Sequence, residues 1–326
     1  MTTATRTDTS IDLLPLAGIA CETNTGTRTL PLSSEPSFAY WQQDIPREYW
    51  DLNSDQLVER VAAARERLGT KLIVLGHHYQ REDIIQFADV RGDSFKLAQW
   101  AAGHPEADYI VFAGVHFMAE AADILSGVHQ TVVLPNMAAG CSMADMASPD
   151  DVYAAWTELE EAGLAGKVVP VTYMNSAASL KAFCGKHGGI VCTSSNAPAV
   201  LKWAFERGEK VLFFPDQHLG RNTGVKMGVP QDVMPLWNYN KPYGSLGGNS
   251  LEELERGRII LWQGHCSVHQ RFTVPQIEAA RARYPDVHVV VHPECRLDVV
   301  QAADSNGSTE FIAQTIAKGA PGSKFA

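Results

Sequence analysis

The sequence has no excess of basic charge: 27 Lys and Arg stand against 37 Asp and Glu, for a formal net charge of −10. Non-specific nucleic-acid binding needs clustered Lys and Arg, so it is not expected. The chain also lacks an apolar run long enough to span a membrane. Its first ten residues are polar and do not form the apolar centre of a secretory signal. We therefore expect a cytoplasmic protein with no membrane or nucleic-acid partner.

Two signatures of nucleotide cofactors are missing as well. The sequence contains neither a glycine-rich dinucleotide fingerprint nor a Walker-type phosphate loop. Cysteines are few and widely spaced, with no pattern of a disulfide framework: Cys21, Cys141, Cys184, Cys192, Cys266 and Cys295. In a reducing compartment such cysteines are free, metal-binding or catalytic.

The chain does contain a long alternation of Val/Ile-rich runs and amphipathic segments that begins at Lys71. Such buried runs between helices predict an α/β fold with parallel sheets covered on both faces. The pattern predicts a helix over Arg81–Val90, and a strand over 287–292. Residues 219–250 are rich in Gly, Asn and Pro, which predicts a long irregular loop.

A weak internal repeat organises this alternation. One strand–helix series ends at Cys141 and the next ends at Cys266, whereas a third begins near Val268 and is about half as long. We therefore expect four parts, the last of them an incomplete unit. They are a mobile leader (1–36) and three αβα domains (37–145, 146–267 and 268–326).

The two cysteines that end these series have the same setting. Cys141 and Cys266 each follow a predicted strand and a nearby glycine, Gly140 or Gly264, which lets the backbone approach a ligand closely. Our hypothesis is that both thiolates hold an iron–sulfur cluster. The alternative is a pair of buried, inert cysteines, the commoner state of intracellular cysteine.

Small hydroxyl residues occur at three predicted strand-to-helix junctions, one in each series: Ser94, Ser194 and Thr309. Free backbone N–H groups and the helix dipole make such junctions anion sites. Ordinary helix capping is the alternative at each of them.

Polar residues also follow the first strand of each series, at the end where parallel sheets bind ligands. They are His77 and Tyr79 in the first series, Tyr173, Met174 and Asn175 in the second, and His292, Pro293 and Glu294 in the third. Imidazole and carboxylate groups at such positions suit proton transfer and anion binding.

Ten ordered segments together resemble the quinolinate synthase family, the A-type enzyme of de novo NAD biosynthesis. The segments are His77–Gln80, GDS (92–94), FAGVHFMAE (112–120), GCSMAD (140–145), VTYMNS (171–176), CTSSNA (192–197), PDQHLGRN (215–222), CSVHQRF (266–272), HPEC (292–295) and GST (307–309).

The resemblance implies three αβα domains about a pseudo-threefold axis, with a 4Fe–4S cluster between them. It implies condensation of iminosuccinate (iminoaspartate) with dihydroxyacetone phosphate to give quinolinate, phosphate and water. L-Aspartate oxidase or dehydrogenase would supply the iminosuccinate. Three thiolates would leave one iron open to act as a Lewis acid on substrate.

The resemblance also implies roles for particular residues. Cys141 and Cys266 match two of the three cluster ligands, and the eleven polar residues and neighbours named above at strand ends and junctions match substrate contacts. We assign proton transfers to Glu294 and Tyr173, and the phosphate or triose end of the substrate to His77.

One feature departs from the family pattern. The family takes its third cluster thiolate from a cysteine near the C-terminus, and no cysteine follows Cys295 here. An inactive or binding-only fragment is therefore one alternative function. Another is a zinc hydrolase using His77, His292 and Glu294, although no HExxH-type spacing supports it.

Overall fold

The computed structural model describes residues 46–326 and shows an α/β fold built on three parallel sheets. The predicted leader, residues 1–36, lies outside the described residues. Within residues 46–326, none of the helices combines the length and apolar character needed to cross a membrane.

The first sheet has four strands in the order β2-β1-β3-β4. The strands are β1 (Leu72–His77), β2 (Val90–Gly92), β3 (Tyr109–Ala113) and β4 (Thr131–Val133), and the helices around them are α1 (Ser54–Leu68), α2 (Glu82–Ile85), α3 (Ser94–Ala102), α4 (His116–Leu125) and α5 (Ser142–Asp145).

The helix predicted over Arg81–Val90 is wrong in its second half. Only the single turn of α2 is helical, and Val90 begins strand β2. The reason is a pair of long-range hydrogen bonds at Asp89. Its backbone N–H donates to the Val74 carbonyl, and its carboxylate accepts from the Val74 N–H, which draws this segment alongside β1.

The second sheet has five strands in the order β6-β5-β7-β9-β8. The strands are β5 (Val168–Tyr173), β6 (Ile190–Cys192), β7 (Lys210–Phe214), β8 (Leu236–Trp237) and β9 (Ile259–Trp262), and the helices are α6 (Pro149–Glu161), α7 (Ala178–Lys186), α8 (Ala197–Phe205), α9 (Gln217–Lys226) and α10 (Leu251–Arg256).

The loop predicted over residues 219–250 is also wrong, because most of α9 and all of β8 fall within it. Asp216 caps the N-terminus of α9 by accepting from the backbone N–H groups of His218 and Leu219. A Cβ at Gly220 would lie 2.6 Å from a Leu261 methyl group. The glycine that indicated a loop thus lets the helix pack directly on the sheet.

The third sheet has two strands, β10 (Val290–Val291) and β11 (Ser305–Asn306), with helices α11 (Val274–Arg283), α12 (Leu297–Ala302) and α13 (Thr309–Ala317). The strand predicted over 287–292 is therefore shorter than expected. An isolated parallel bridge pairs His288 with Phe325. One sheet lies in each predicted domain range, and the domain boundaries and the pseudo-threefold axis stay predictions.

The first two sheets share one hydrophobic core. Ile110 and Phe112 of the first sheet belong to the same buried cluster as Val171 and Phe213 of the second. The opposite face of the second sheet buries its own aromatic cluster, which includes Trp262. The third unit has a separate and smaller core.

An identical hydrogen bond appears in the first and third units. The Val74 N–H donates to an Asp89 carboxylate oxygen at 2.7 Å, and the Val289 N–H donates to an Asp304 carboxylate oxygen at 2.8 Å. In both pairs the partners are 15 residues apart in sequence. The internal repeat is therefore present in the hydrogen bonding as well as in the order of elements.

The second unit has no such hydrogen bond at the corresponding position. By strand register, Pro170 corresponds to Val74, and Gly189 precedes β6 where Asp89 precedes β2. Proline has no N–H to donate, so no carboxylate is needed there. A Cβ at Gly189 would lie 2.0 Å from the Pro170 carbonyl oxygen, so the missing aspartate is replaced by close backbone packing.

We expect Asp89→Ala to lower the free energy of unfolding by about 1–3 kcal/mol, because it leaves the Val74 N–H without its acceptor. It also removes the ion pair with Arg65, at 2.5 Å. Asp108→Ala is the matched control, since its ion pair with Lys71 is exposed and should contribute about 0.5 kcal/mol or less. Urea unfolding followed by circular dichroism measures both, and equal losses would contradict the assignment.

Candidate active site

The first strands of the three units end in corresponding positions. The register pairs His77 with Gly92 in the first sheet and Tyr173 with Cys192 in the second. His292 follows β10 at the matching place in the third. The residues predicted at these strand ends therefore occupy equivalent positions, and each unit carries a different side chain or setting there.

The two strand-end histidines have the same protonation pattern. The backbone N–H of Glu294 donates to Nδ1 of His292 at 3.3 Å, and that of Tyr79 donates to Nδ1 of His77 at 3.5 Å. A nitrogen that accepts carries no proton, so each neutral ring is protonated at Nε2. Burial lowers the pKa of both imidazoles to about 4. Both rings are therefore neutral hydrogen-bond donors at neutral pH.

Glu294 is a buried carboxylate, with only 3% of its surface exposed. Its Oε2 lies 3.0 Å from Nδ1 of His269, and the Tyr173 hydroxyl donates a hydrogen bond to it. Burial raises the pKa of this carboxyl, but the neighbouring imidazoles and Tyr173 outweigh burial and lower it to about 2. Glu294 is therefore ionised at neutral pH.

His269 connects this carboxylate with a thiol. Burial lowers its pKa, but the neighbouring Cys266 and Glu294 side chains outweigh burial and raise it to about 10. Its ring also stacks on His292, with centroids 4.9 Å apart. His269 is thus the charged partner that lets Glu294 stay ionised inside the protein.

Tyr173 donates a hydrogen bond to Glu294 within this group. Burial raises its pKa well above the usual value, and the nearby Glu294 charge raises it further. The phenol also contacts the side chain of Ser194, one of the three predicted junction residues. The sequence-predicted residues Tyr173, Ser194, His292 and Glu294 thus form one connected cluster.

The two key cysteines come to this cluster from different sheets. Cys141 follows the first sheet and Cys266 the second, and both are partly buried. Burial raises the pKa of Cys141 to about 11, and the nearby charges of Glu294 and Cys266 add to this. Within residues 46–326, the donor atoms of Cys266, His269 and Glu294 lie within 4.8 Å of one another, close enough to share a metal. As thiolates, two cysteines brought to one place from different sheets are ligands of the kind that hold an iron–sulfur centre.

Two of the predicted junction residues, Ser94 and Thr309, are the first residues of helices, whereas Ser194 lies in the turn before α8. Asp93 accepts from the Lys96 N–H and Ser308 accepts from the Phe311 N–H. The capping side chains are thus one residue before Ser94 and Thr309. Helix capping, the alternative role for these two residues, therefore does not account for their hydroxyls. An ion pair between Lys96 and Glu310, at 3.2 Å, brings the two helix starts together.

The remaining predicted residues flank the cluster along the chain. Met174 and Pro293 are buried, and Asn175 is partly buried beside Tyr173. Tyr79 packs against the His77 ring with centroids 4.0 Å apart, and its hydroxyl lies near the Cys141 thiol.

Sequence reasoning assigned no role to Asp216 or Asn222, which the structure places next to the cluster. Asp216 is fully buried, and burial together with the Glu294 charge raises its pKa well above the usual value. It follows the carboxyl end of β7, the same signal that identified the other residues.

A family model described as "Quinolinate synthetase A protein" (NadA) matches residues 59–326. The chain is 59% identical over 291 residues to a quinolinate synthase of Corynebacterium glutamicum, covering 89% of this chain and 73% of that protein. It is 56% identical over 284 residues to that of Streptomyces coelicolor, covering 87% and 71%. It is 51% identical over 291 residues to that of Rhodopirellula baltica, covering 86% and 74%.

Thiol accessibility gives a direct test of this geometry. In reduced, metal-free protein, iodoacetamide should modify Cys141 and Cys266 and spare the buried Cys184, Cys192 and Cys295 until the protein is unfolded. The rate at Cys141 should rise about tenfold per pH unit from pH 7 to 9, because the thiolate is the nucleophile and its pKa is about 11. Peptide mass spectrometry measures each rate, and early labelling of a buried cysteine would contradict the arrangement.

Proposed function

The chain belongs to the quinolinate synthetase A protein family, enzymes that make the pyridine ring for NAD, and we propose that its substrates are iminosuccinate and dihydroxyacetone phosphate. The products are quinolinate, phosphate and water. The observation that supports this most is the approach of Cys141, Cys266 and Glu294, one from each predicted unit, to a common centre.

We propose that Cys141 and Cys266 are ligands of a 4Fe–4S cluster. When bound, a cluster with one iron free of protein ligands supplies a Lewis acid for a substrate hydroxyl or carboxylate. The sequence has no cysteine after Cys295, so the third protein ligand is left unassigned.

The proton transfers are assigned to the buried pair of Glu294 and Tyr173. The Glu294 carboxylate accepts a proton from the condensing substrates, and the Tyr173 hydroxyl returns one to a departing hydroxide. Their burial excludes bulk water, which strengthens these interactions and protects a reactive imine.

Binding of the two anionic substrates is assigned to neutral donors at strand ends and helix starts. The Nε2–H groups of His77 and His292 donate to carboxylate or phosphate oxygens, with His77 at the triose phosphate end. Ser94 and Thr309 add hydroxyl and backbone donors at two helix starts, and Ser194 adds a hydroxyl in the turn before α8. Donors of this kind suit a diacid and a phosphate ester in a protein whose net charge is −10.

The geometry does not support the alternative function of a zinc hydrolase. In the part of the chain that the structure describes, the metal-capable group containing Glu294 includes Cys266 and His269 instead of His77 and His292. A brown protein with broad absorption near roughly 400 nm would exclude it, since thiolate-bound iron–sulfur clusters give that colour. The supply of iminosuccinate by L-aspartate oxidase or dehydrogenase, and a cytoplasmic location, stay predictions.

The acid–base assignment predicts that Glu294→Gln lowers quinolinate formation by about 10²–10⁴-fold, because Gln cannot accept the proton. The absorption of the cluster should stay intact. Glu158→Gln is the matched control, since Glu158 is also buried but binds the Leu246 N–H elsewhere in the second unit. Anaerobic assay with both substrates measures the rates, and turnover retained by Glu294→Gln would refute the role.

The cluster assignment predicts that Cys141→Ala and Cys266→Ala each lose most bound iron and acid-labile sulfide. Cys184→Ala, at a buried cysteine in a different core cluster, should keep the content of the unchanged chain. Equal iron in all three variants after anaerobic reconstitution would exclude the two cysteines as ligands.

A further inference from the structure

The loop that carries Glu294 is held by two side-chain amides at three consecutive carbonyls. Nδ2 of Asn222 donates to the carbonyl oxygens of Pro293 and Cys295, both at 2.8 Å. Nε2 of Gln270 donates to the carbonyl oxygen of Glu294 at 3.4 Å. Carbonyl oxygens only accept, which fixes the orientation of both amides. The Pro293 and Cys295 carbonyls on either side of the buried carboxylate are therefore anchored by Asn222 of the second unit, whereas Gln270 belongs to the same unit as Glu294.

Asn222 occupies a position that local structure does not favour. It lies in the interior of α9, where asparagine is a poor helix former. It is also 7% exposed, and a buried amide is destabilising unless it is hydrogen-bonded. Both costs are offset only by its contacts with the third unit, which indicates a tertiary role.

Helix α9 is itself rigidly placed against the sheet. A Cβ at Gly224 would lie 2.6 Å from a Met234 methyl carbon and 2.8 Å from an Ile259 methyl carbon, so the helix backbone contacts the core directly. The N-terminus of α9 also fixes the loop before Cys266, because the Gln217 N–H donates to the Gly264 carbonyl at 3.0 Å. One helix thus contacts both the Cys266 loop and the Glu294 loop.

We propose that Asn222 is a positioning residue that acts through the backbone of Pro293 and Cys295 to hold the Glu294 carboxylate against Tyr173 and His269. The third unit has only a small core of its own, so this contact sets where its key residue lies relative to the second unit. The catalytic part of the proposal rests on the proposed function, and the positioning part does not.

Asn222→Leu removes both donors at nearly the same volume. Its matched control is Asn249→Leu, because the Asn249 amide also donates to two carbonyls, of Leu236 and Leu246, away from the site. Hydrogen exchange of the amides of Glu294 and Cys295 should become about tenfold faster or more in Asn222→Leu. In Asn249→Leu those amides should exchange as in the unchanged chain.

In the anaerobic assay, Asn222→Leu should lower kcat about 10- to 100-fold per cluster with little change in KM, since a misplacement of about 1 Å costs about that much. Asn249→Leu should stay within about twofold. Gln270→Leu removes the longer hydrogen bond, to the Glu294 carbonyl, and should raise hydrogen exchange in the same segment by a smaller factor. It replaces Asn222→Leu as the test if that variant folds poorly.

Unchanged exchange at the amides of Glu294 and Cys295 in both site variants would overturn the positioning role, whether or not the chain makes quinolinate. An equal loss of kcat in Asn222→Leu and Asn249→Leu would also overturn it, because it would reflect general destabilisation. Absence of quinolinate from the unchanged chain would instead count against the proposed function alone.

Discussion

The arrangement of the site depends on keeping one carboxylate charged where almost no water reaches it. Glu294 is 3% exposed, and an isolated charge so deep in a protein would be neutralised or strongly destabilising. Here His269 supplies an opposite charge at 3.0 Å and Tyr173 supplies a hydrogen bond. Because Tyr173 ends a strand of the second sheet and Glu294 follows the third, the hydrogen bond between them exists only when the two units meet.

The internal repeat gives the three units the same backbone arrangement at their strand ends, but different side chains there. Equivalent strand ends carry imidazole, phenol and imidazole at His77, Tyr173 and His292, so the same geometry yields two neutral donors and one buried hydroxyl. Two residues later, Tyr79 and Glu294 both donate a backbone N–H to the preceding histidine ring. The repeated backbone sets the direction of each side chain, and the residue type alone sets what it does.

Segments in which local preference and tertiary packing agreed could be predicted closely. The helix Ser54–Leu68 is one example: its apolar residues recur at helical spacing, and the Asn53 side chain caps it. The errors came where the two disagreed. The run after Arg81 has helical periodicity, but Asp89 is paired with Val74 of the adjacent strand. Gly220 and Gly224 favour a loop locally, but packing against the sheet makes that stretch a helix.

The sequence by itself determined the class of fold, the positions of the strand ends and the two cysteines with a shared setting, because these follow from periodicity and residue type along the chain. Only the tertiary structure decided that His269 would pair with Glu294, and that Asn222 would anchor its loop across 71 residues of sequence. Such partners are brought together by the approach of segments that are distant in sequence. That approach depends on packing between distant segments and leaves no periodic trace in either one.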